Sequence, residues 1–333
     1  MAEVRLGVIG LGFMGGRWAR VLAEHDGVRL AAVSDIREEV ARQEAERYGA
    51  AAVLDPLEAA ARSDLDGIVV CTPEHLHTGP ALAAIDAGKA VMVEKPLAHT
   101  VADAEQIRDL AAQRGVSVLA GHTLRFDPRY AAVRRAIESG EVGAVQAVRT
   151  ERIGLVSDQD VLAGRTSIAL YYGVHEFDLC RWYAGEVEAI WAARSTGILE
   201  QRGYPIEDLY SVGLRFASGA HGTSMVGWCL PSGTPGYGIG GFTVIGEYGL
   251  LRVAQGEVGF LKVGKDGLSD DDVYYSPEVD GRLYGAVGIE ADHFVRVTRG
   301  EVEPCCSAAD GASAVRIALA MEEAARRGEV VRP

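Results

Sequence analysis

Residues 71–97 read CTPEHLHTGPALAAIDAGKAVMVEKPL, and this stretch decides how the rest of the chain is organised. An apolar strand over Gly67–Cys71 leads to a Thr72-Pro73 corner. A helix over Pro80, Ala81, Ala84 and Ile85 follows, then a stop at Gly88 and a second apolar strand over Ala90–Val93. Two apolar strands joined through a helix make a parallel βαβ unit. Glu94, Lys95 and Pro96 therefore arrive together at the carboxyl end of a buried strand, which in an open parallel sheet faces the ligand crevice. A solvated lysine capping the sheet is the alternative that these residues leave open.

Upstream, the short apolar strand Val4–Gly10 runs into Gly10-Leu11-Gly12-Phe13-Met14-Gly15, and a helix-compatible run from Arg17 to Glu24 follows. Strand, glycine turn and helix in that order suit a dinucleotide. Gly10 permits the tight turn, Gly12 lets a pyrophosphate approach the backbone, and Gly15 lets helix and strand close up. The helix N-terminus adds free N–H groups and partial positive charge for the phosphates. A second strand, Leu30–Ser34, ends in Asp35 at the interval expected of the acid that holds the adenosine ribose. A carboxylate accepts hydrogen bonds from a diol and repels a 2′-phosphate, so NAD is expected in preference to NADP. Two alternatives stay open: Asp35 caps a helix beginning near Arg37, or Arg37 itself stacks on adenine or neutralises a 2′-phosphate.

The alternation continues with a helix over Glu38–Tyr48, a strand near Ala51–Leu54 and a helix after Pro56. Beyond the opening stretch come a helix over Val101–Arg114 and a strand over Val116–Ala120. This is the pattern of a doubly wound parallel α/β sheet. His75 and His77 stand where a strand gives way to a helix, a place suited to facing a bound cofactor and equally to capping. Gly121-His122-Thr123-Leu124-Arg125-Phe126-Asp127-Pro128 marks a shift in composition, so the boundary is expected here: residues 1–122 as the dinucleotide-binding domain, 123–333 as the substrate-binding and oligomerisation domain.

After a helix over Tyr130–Ser139 the pattern is β alternation with glycine turns: Val145–Ile153, Val187–Thr196, Tyr210–Phe216, Gly222–Trp228, Phe242–Ile245 and Leu250–Val253. Strands running on after a βαβ half imply an α+β domain with a large, mainly antiparallel sheet. The glycine-rich Pro231–Gly241 reads as a long loop, over the cleft or as a disordered tip. Amphipathic helices over Ile289–Thr298 and Ala308–Arg327 close the chain, with Gly328 ending the second. Between the strands, Tyr171-Tyr172-Gly173-Val174-His175-Glu176-Phe177-Asp178 forms a second chemical constellation. On a helix His175 and Asp178 share a face, so Asp178 could fix the imidazole's tautomer.

Composition narrows the classes. With 333 residues and 48% hydrophobic content the chain suits two soluble domains. It lacks a membrane-length apolar run and a signal-like start, so a cytoplasmic protein is expected. A net charge of -14 opposes binding to phosphate backbones. The five cysteines, Cys71, Cys180, Cys229, Cys305 and Cys306, are scattered without CxxC spacing, so neither a disulfide framework nor a metal site is expected.

Thr72-Pro73, His77, Ala87-Gly88-Lys89 and Glu94-Lys95-Pro96 closely resemble the signature of the glucose–fructose oxidoreductase/inositol dehydrogenase/MocA (Gfo/Idh/MocA) family. The GH-x-x-RF-x-P run, the Gly140-Glu141-Val142-Gly143 turn, the G-x-H-x-x-D around His175 and the C-terminal end extend the resemblance over nearly the whole chain. It implies a nicotinamide-dependent dehydrogenase acting on a sugar, cyclitol or related polyol. Phe13, Met14, Thr72, Pro73, His77, Glu94, Lys95 and Pro96 would join the glycine turn, Asp35 and Arg37 around NAD. Lys95, Arg125, Tyr171 and His175 would meet substrate, Arg125 having a structural ion pair as its alternative. Lys95 would polarise the reacting oxygen and His175 would take the proton.

The family's dehydrogenases commonly carry an aspartate where this chain has Tyr171, so Tyr171 is the other candidate proton carrier. A dimer or tetramer through the second sheet is the family's habit. A non-catalytic NAD- and sugar-binding regulator and an NAD-dependent glycoside hydrolase are the alternative functions within the same resemblance.

Overall fold

The computed structural model describes residues 3–162, 164–234, 238–254, 262–264, 267–269 and 273–333. The chain divides into two compact units, Met1–Asp127 with Tyr274–Val315, and Pro128–Val273 with Arg316–Pro333.

In the first unit the elements are β1 (Val4–Ile9), α1 (Phe13–Ala23), β2 (Val28–Ser34), α2 (Glu38–Tyr48), β3 (Ala51–Val53), α3 (Pro56–Ala61), β4 (Gly67–Val70), α4 (Thr78–Asp86), β5 (Ala90–Glu94), α5 (Val101–Arg114) and β6 (Val118–Gly121). All six strands are parallel, in the order β3-β2-β1-β4-β5-β6. Every residue of β4 and β6 is buried, as expected of a parallel sheet covered on both faces. The order of strands reverses between β1 and β4, and this switch point is where such sheets take ligands. Local chemistry sets the helix ends: Asp55 caps α3 and Thr100 caps α5, while Gly49 and Gly115 end α2 and α5 in the left-handed conformation.

The second unit holds α6 (Pro128–Glu138), β7 (Val145–Leu155), α7 (Asp158–Leu162), α8 (Val174–Ala184), β8 (Val187–Ser195), β9 (Leu209–Phe216), β10 (His221–Leu230), β11 (Ile239–Gly246) and β12 (Leu250–Ala254). The sheet order is β12-β11-β7-β10-β9-β8, antiparallel except where β10 runs parallel to β7. Burial alternates along β9 and β10, so one face is packed, with α8 lying on β7, and the other shows side chains to solvent. Trp191, Met225 and Ile245 are large apolar residues left exposed there.

Of the stretch expected as a loop, Ile239–Gly241 is already strand, 235–237 lie outside the described residues, and Pro231–Thr234 is turn and coil. Lys262–Gly264 pairs with Gly267–Ser269, and Glu278–Val279 with Arg282–Leu283. The last helices are α9 (Gly285–Thr298) and α10 (Ala308–Arg327). Helix α9 packs on α1 and β5, so Tyr274–Val315 belongs with the first unit rather than with the residues after 123, and the division falls within α10.

Candidate active site

The glycine turn has the geometry its residues predict. Gly10 takes a positive φ of 87°, and a Cβ there would stand 2.6 Å from the Cys71 carbonyl oxygen, because the ends of β1 and β4 meet at the switch point. A Cβ on Gly15 would fall on the carbonyl oxygen of Gly10, whereas one on Gly12 would meet nothing within 4 Å. Two of the three glycines are thus demanded by the fold. The third opens space at the N-terminus of α1, which a pyrophosphate would fill. Phe13 is exposed on the first turn of α1 under the Arg17 guanidinium, 3.7 Å from its ring centroid, and Met14 accepts a contact from the Tyr275 hydroxyl at 3.5 Å.

Asp35 sits just beyond β2 and is buried. Its carboxylate accepts from the Leu11 N–H at 2.9 Å, from the Arg37 N–H at 2.9 Å, and from both arms of the Arg37 guanidinium at 2.9 Å each. Burial opposes ionisation, but these donors outweigh it and hold the pKa below the ordinary carboxylate value. Asp35 makes no cap to α2, whose N-cap is Arg37 without a side-chain bond. Arg37 is itself mostly exposed and spends its fork on Asp35.

At the end of β5, the buried Glu94 accepts from the Trp18 indole at 2.9 Å and from the Lys95 N–H at 3.1 Å. The Lys95-Pro96 bond is cis. His77 ties this corner to the neighbouring one: Nδ1 lies 2.8 Å from the Pro96 carbonyl and Nε2 2.8 Å from that of Thr72. Burial lowers the His77 pKa, with the two carbonyls pulling the other way. It thereby joins the Thr72-Pro73 corner to Glu94-Lys95-Pro96, while His75 is exposed and faces His99 edge-on at 6.4 Å.

The sequence reading missed Glu290 on α9. It is fully buried, and burial with the charge of Glu94 drives its pKa well above the usual value, Thr123 offsetting part of this. The carboxyl of Glu94 is raised too, by burial, against the Trp18 and Lys95 donors. In sequence Glu290 passes for the polar face of an amphipathic helix; its neighbours Ala286, Val287, Ala291 and Phe294, all buried, are the signal that it points inward.

Arg125 is buried within the first unit, donating to the Cys305 carbonyl at 2.5 Å and facing Asp310 at 3.7 Å. The ion pair named as an alternative for Arg125 is thus present.

In the second unit, a π-helical turn over Ala169–Gly173 runs straight into α8. Such bulges are frequent at functional sites. It brings the half-buried Tyr171 and Tyr172 rings to 5.0 Å from each other and to 5.4 and 5.6 Å from Trp228. His175 is half-buried, Glu176 and Asp178 are buried, and Glu176 pairs with Arg152 of β7 at 2.6 Å. Tyr172 donates to Asp158 at 2.8 Å, a pair the sequence reading did not foresee.

Residues 4–122 match the family model described as the Gfo/Idh/MocA oxidoreductase family, NAD-binding Rossmann fold, and 130–252 match that of the Gfo/Idh/MocA C-terminal domain. The chain is 33% identical over 223 residues to a myo-inositol 2-dehydrogenase of Thermotoga maritima, 66% of this chain and 67% of that protein. It is 31% identical to a 4-carboxy-2-hydroxymuconate-6-semialdehyde dehydrogenase of a Sphingobium species, over 55% of this chain and 60% of that one. The solved structure of GenD2 from gentamicin A biosynthesis, in complex with NAD, superposes with a TM-score of 0.83 at 27% identity, covering 100% of this chain and 97% of that one.

Proposed function

The chain belongs to the Gfo/Idh/MocA oxidoreductase family, and from that premise we propose that it transfers a hydride between NAD and a carbinol carbon of a cyclitol, sugar or related polyol. The observation that carries the reading is Lys95, set at the carboxyl end of β5 by the Glu94–Trp18 bond and the His77 bridge, in the same unit as a glycine turn open at Gly12. When bound, the cofactor supplies the hydride acceptor or donor at its C4. Gly12 and the N–H groups of α1 hold the pyrophosphate. Asp35 takes the ribose diol in place of the Arg37 fork and, being ionised, disfavours a 2′-phosphate.

Lys95 places an ammonium against the oxygen of the reacting carbon and lowers that hydroxyl's pKa. His175 removes the proton, since an imidazole needs almost no shift to act near neutral pH, and Tyr171 hydrogen-bonds the substrate. A tyrosine acting as base would need its pKa lowered by several units. The polyol class follows the Thermotoga maritima relative. The exposed face of the second sheet, with a shallow groove lined by Arg149, Glu151, Trp191, Ser211, Thr223 and Met225, supports self-association into a dimer or tetramer.

The test is NADH formation from a panel of cyclitols and aldoses. Turnover of at least one is the expected result. Cofactor binding with no turnover of any would favour a regulatory binding protein.

A further inference from the structure

Helix α1 carries a strap along one face. Met14, Arg17, Arg20 and Glu24 recur at helical spacing, which puts them in one row. Residues 275–283 meet that row in the same order. The Tyr275 hydroxyl lies 3.5 Å from Met14 Sδ, and Arg17 Nε donates to Ser276 Oγ at 3.2 Å. Arg20 pairs with Glu278 at 2.8 Å and donates to the Gly281 carbonyl at 3.0 Å, and the Glu24 carboxylate accepts from the Leu283 N–H at 2.7 Å. The strap is also closed on itself: the Tyr284 N–H donates to the Pro277 carbonyl and the Ala286 N–H to that of Tyr274, each at 2.9 Å. Gly285 permits this closure with a φ of 73°, since a Cβ there would stand 2.5 Å from the Tyr274 oxygen. Helix and strap both belong to the first unit.

The two arginines of the row differ in what holds them. Arg20 is matched twice, by Glu24 at 2.6 Å and by Glu278. Arg17 has neutral partners among the described residues: the Ser276 hydroxyl, the Phe13 carbonyl at 3.4 Å and the Phe13 ring, whose centroid lies 3.7 Å from the guanidinium carbon. Helical side chains lean back towards the N-terminus, so a full positive charge stands on the first turn of α1 with no carboxylate among the described residues to cancel it. Phe13 is 73% exposed and Arg17 only half-buried, which leaves the pair within reach of a ligand at the neighbouring Gly12.

The place gives that charge its use. Residues 4–122 form an NAD-binding unit, and the space at Gly12 is where a pyrophosphate lies in such a turn. A helix end offers only about half a unit of positive charge to a group with a negative charge on each phosphate. The Arg17 guanidinium makes up part of the difference, and the Ser276 hydroxyl keeps it from swinging out to solvent.

We infer that Arg17 contacts the cofactor's pyrophosphate and that Ser276 is its positioning residue, so that the strap tunes dinucleotide affinity through one guanidinium. This rests on the reading that seats NAD at the glycine turn, and not on the polyol chemistry.

The experiment is fluorescence titration with NADH, using ADP-ribose and adenosine as competitors, at low and high salt. It compares the full-length parent with Arg17→Met, Arg17→Lys, Ser276→Ala and the Arg17→Met/Ser276→Ala double variant, each with its Tm. Arg17→Met is expected to weaken NADH and ADP-ribose about tenfold at low salt and about threefold or less near 1 M, where screening shortens to about 3 Å. Adenosine, which has no phosphate, should compete within about twofold of its strength on the parent in every variant. Arg17→Lys keeps the charge and should return affinity to within about threefold of the parent's. Ser276→Ala should cost about threefold alone and nothing further in the double variant, because the hydroxyl acts through the guanidinium.

NADH affinity of Arg17→Met within about twofold of the parent's would overturn the inference. A loss equal at both salt concentrations, or one shared by adenosine and accompanied by a fall in Tm, would overturn it in favour of a packing role. A Ser276→Ala loss that adds in full to that of Arg17→Met would remove Ser276 from its positioning role. A parent that binds neither NADH nor ADP-ribose would take away the cofactor reading and this inference with it. The readout is binding throughout, so it stands apart from turnover of any polyol.

Discussion

The glycine turn of the first unit and the bulged helix of the second reach their geometry by opposite routes. At the turn, the demands come mostly from backbone atoms: Gly10 and Gly15 are forced by the Cys71 and Gly10 carbonyls, and Asp35 is held by the Leu11 N–H and by Arg37. Around Tyr171 and His175, the partners are side chains from several elements: Asp158 from α7, Arg152 from β7 and Trp228 from β10. The first kind of site depends on backbone and so tolerates changes of the side chains around it. The second depends on side chains brought from several elements, and so changes whenever one of them does.

Removing Lys95 should break the comparison most severely. Lys95→Ala is expected to lower kcat by about 100- to 10,000-fold while NADH affinity stays within a few-fold, the reading proposed above placing dinucleotide affinity in the glycine turn and Asp35. Stopped-flow and fluorescence titration separate the two. A parallel collapse of cofactor affinity would make Lys95 a binding residue.

Next in size is the choice of proton carrier. His175→Ala should lose about 100-fold or more in kcat/KM, whereas Tyr171→Phe should keep substantial activity with a pH limb near the histidine range. A dead Tyr171→Phe beside a working His175→Ala would transfer the role to the phenol.

At the cofactor end, the parent should bind NAD at least about tenfold more tightly than NADP, and Asp35→Ser should narrow the gap. Equal affinities in the parent would mean that the Arg37 guanidinium, released from Asp35, accepts the 2′-phosphate.

The smallest effect concerns Glu290. Its folded pKa is raised, so the unfolded chain gives up this proton first as pH rises. The contribution to stability is full below the unfolded pKa of about 4.3 and is lost progressively as pH climbs towards the raised folded value. Glu290→Gln removes that dependence. Its Tm relative to the parent should increase from pH 5 to pH 9, by about 2–4 °C for each kcal/mol involved. A gap that is flat with pH would mean that the buried carboxyl is already ionised across this range.

Most of the parallel sheet was legible because its signals are local. Helices α2, α5 and α10 begin and end where periodicity, caps and glycines put them. Strand edges drifted by a residue or two, as at β6, where Val116 and Ser117 precede the pairing with β5. The π-turn was not legible: ALYYG has nothing to set it apart from an ordinary helical run, and the bulge is defined by tertiary partners 14 or more residues away. Glu290 was missed for the same reason. An acid in a helix has many innocent explanations until the facing atoms are known.

The central claim, hydride transfer from a polyol carbon, is tested most directly with myo-inositol deuterated at its ring carbons, followed by mass spectrometry of the cofactor. The predicted result is reduced cofactor carrying one deuterium, formed together with an equivalent of ketone and slowed by the heavier isotope if the hydride step limits turnover. Reduced cofactor that never accumulates while a glycoside is cleaved, or a cofactor that binds and stays oxidised with every polyol offered, would contradict the account.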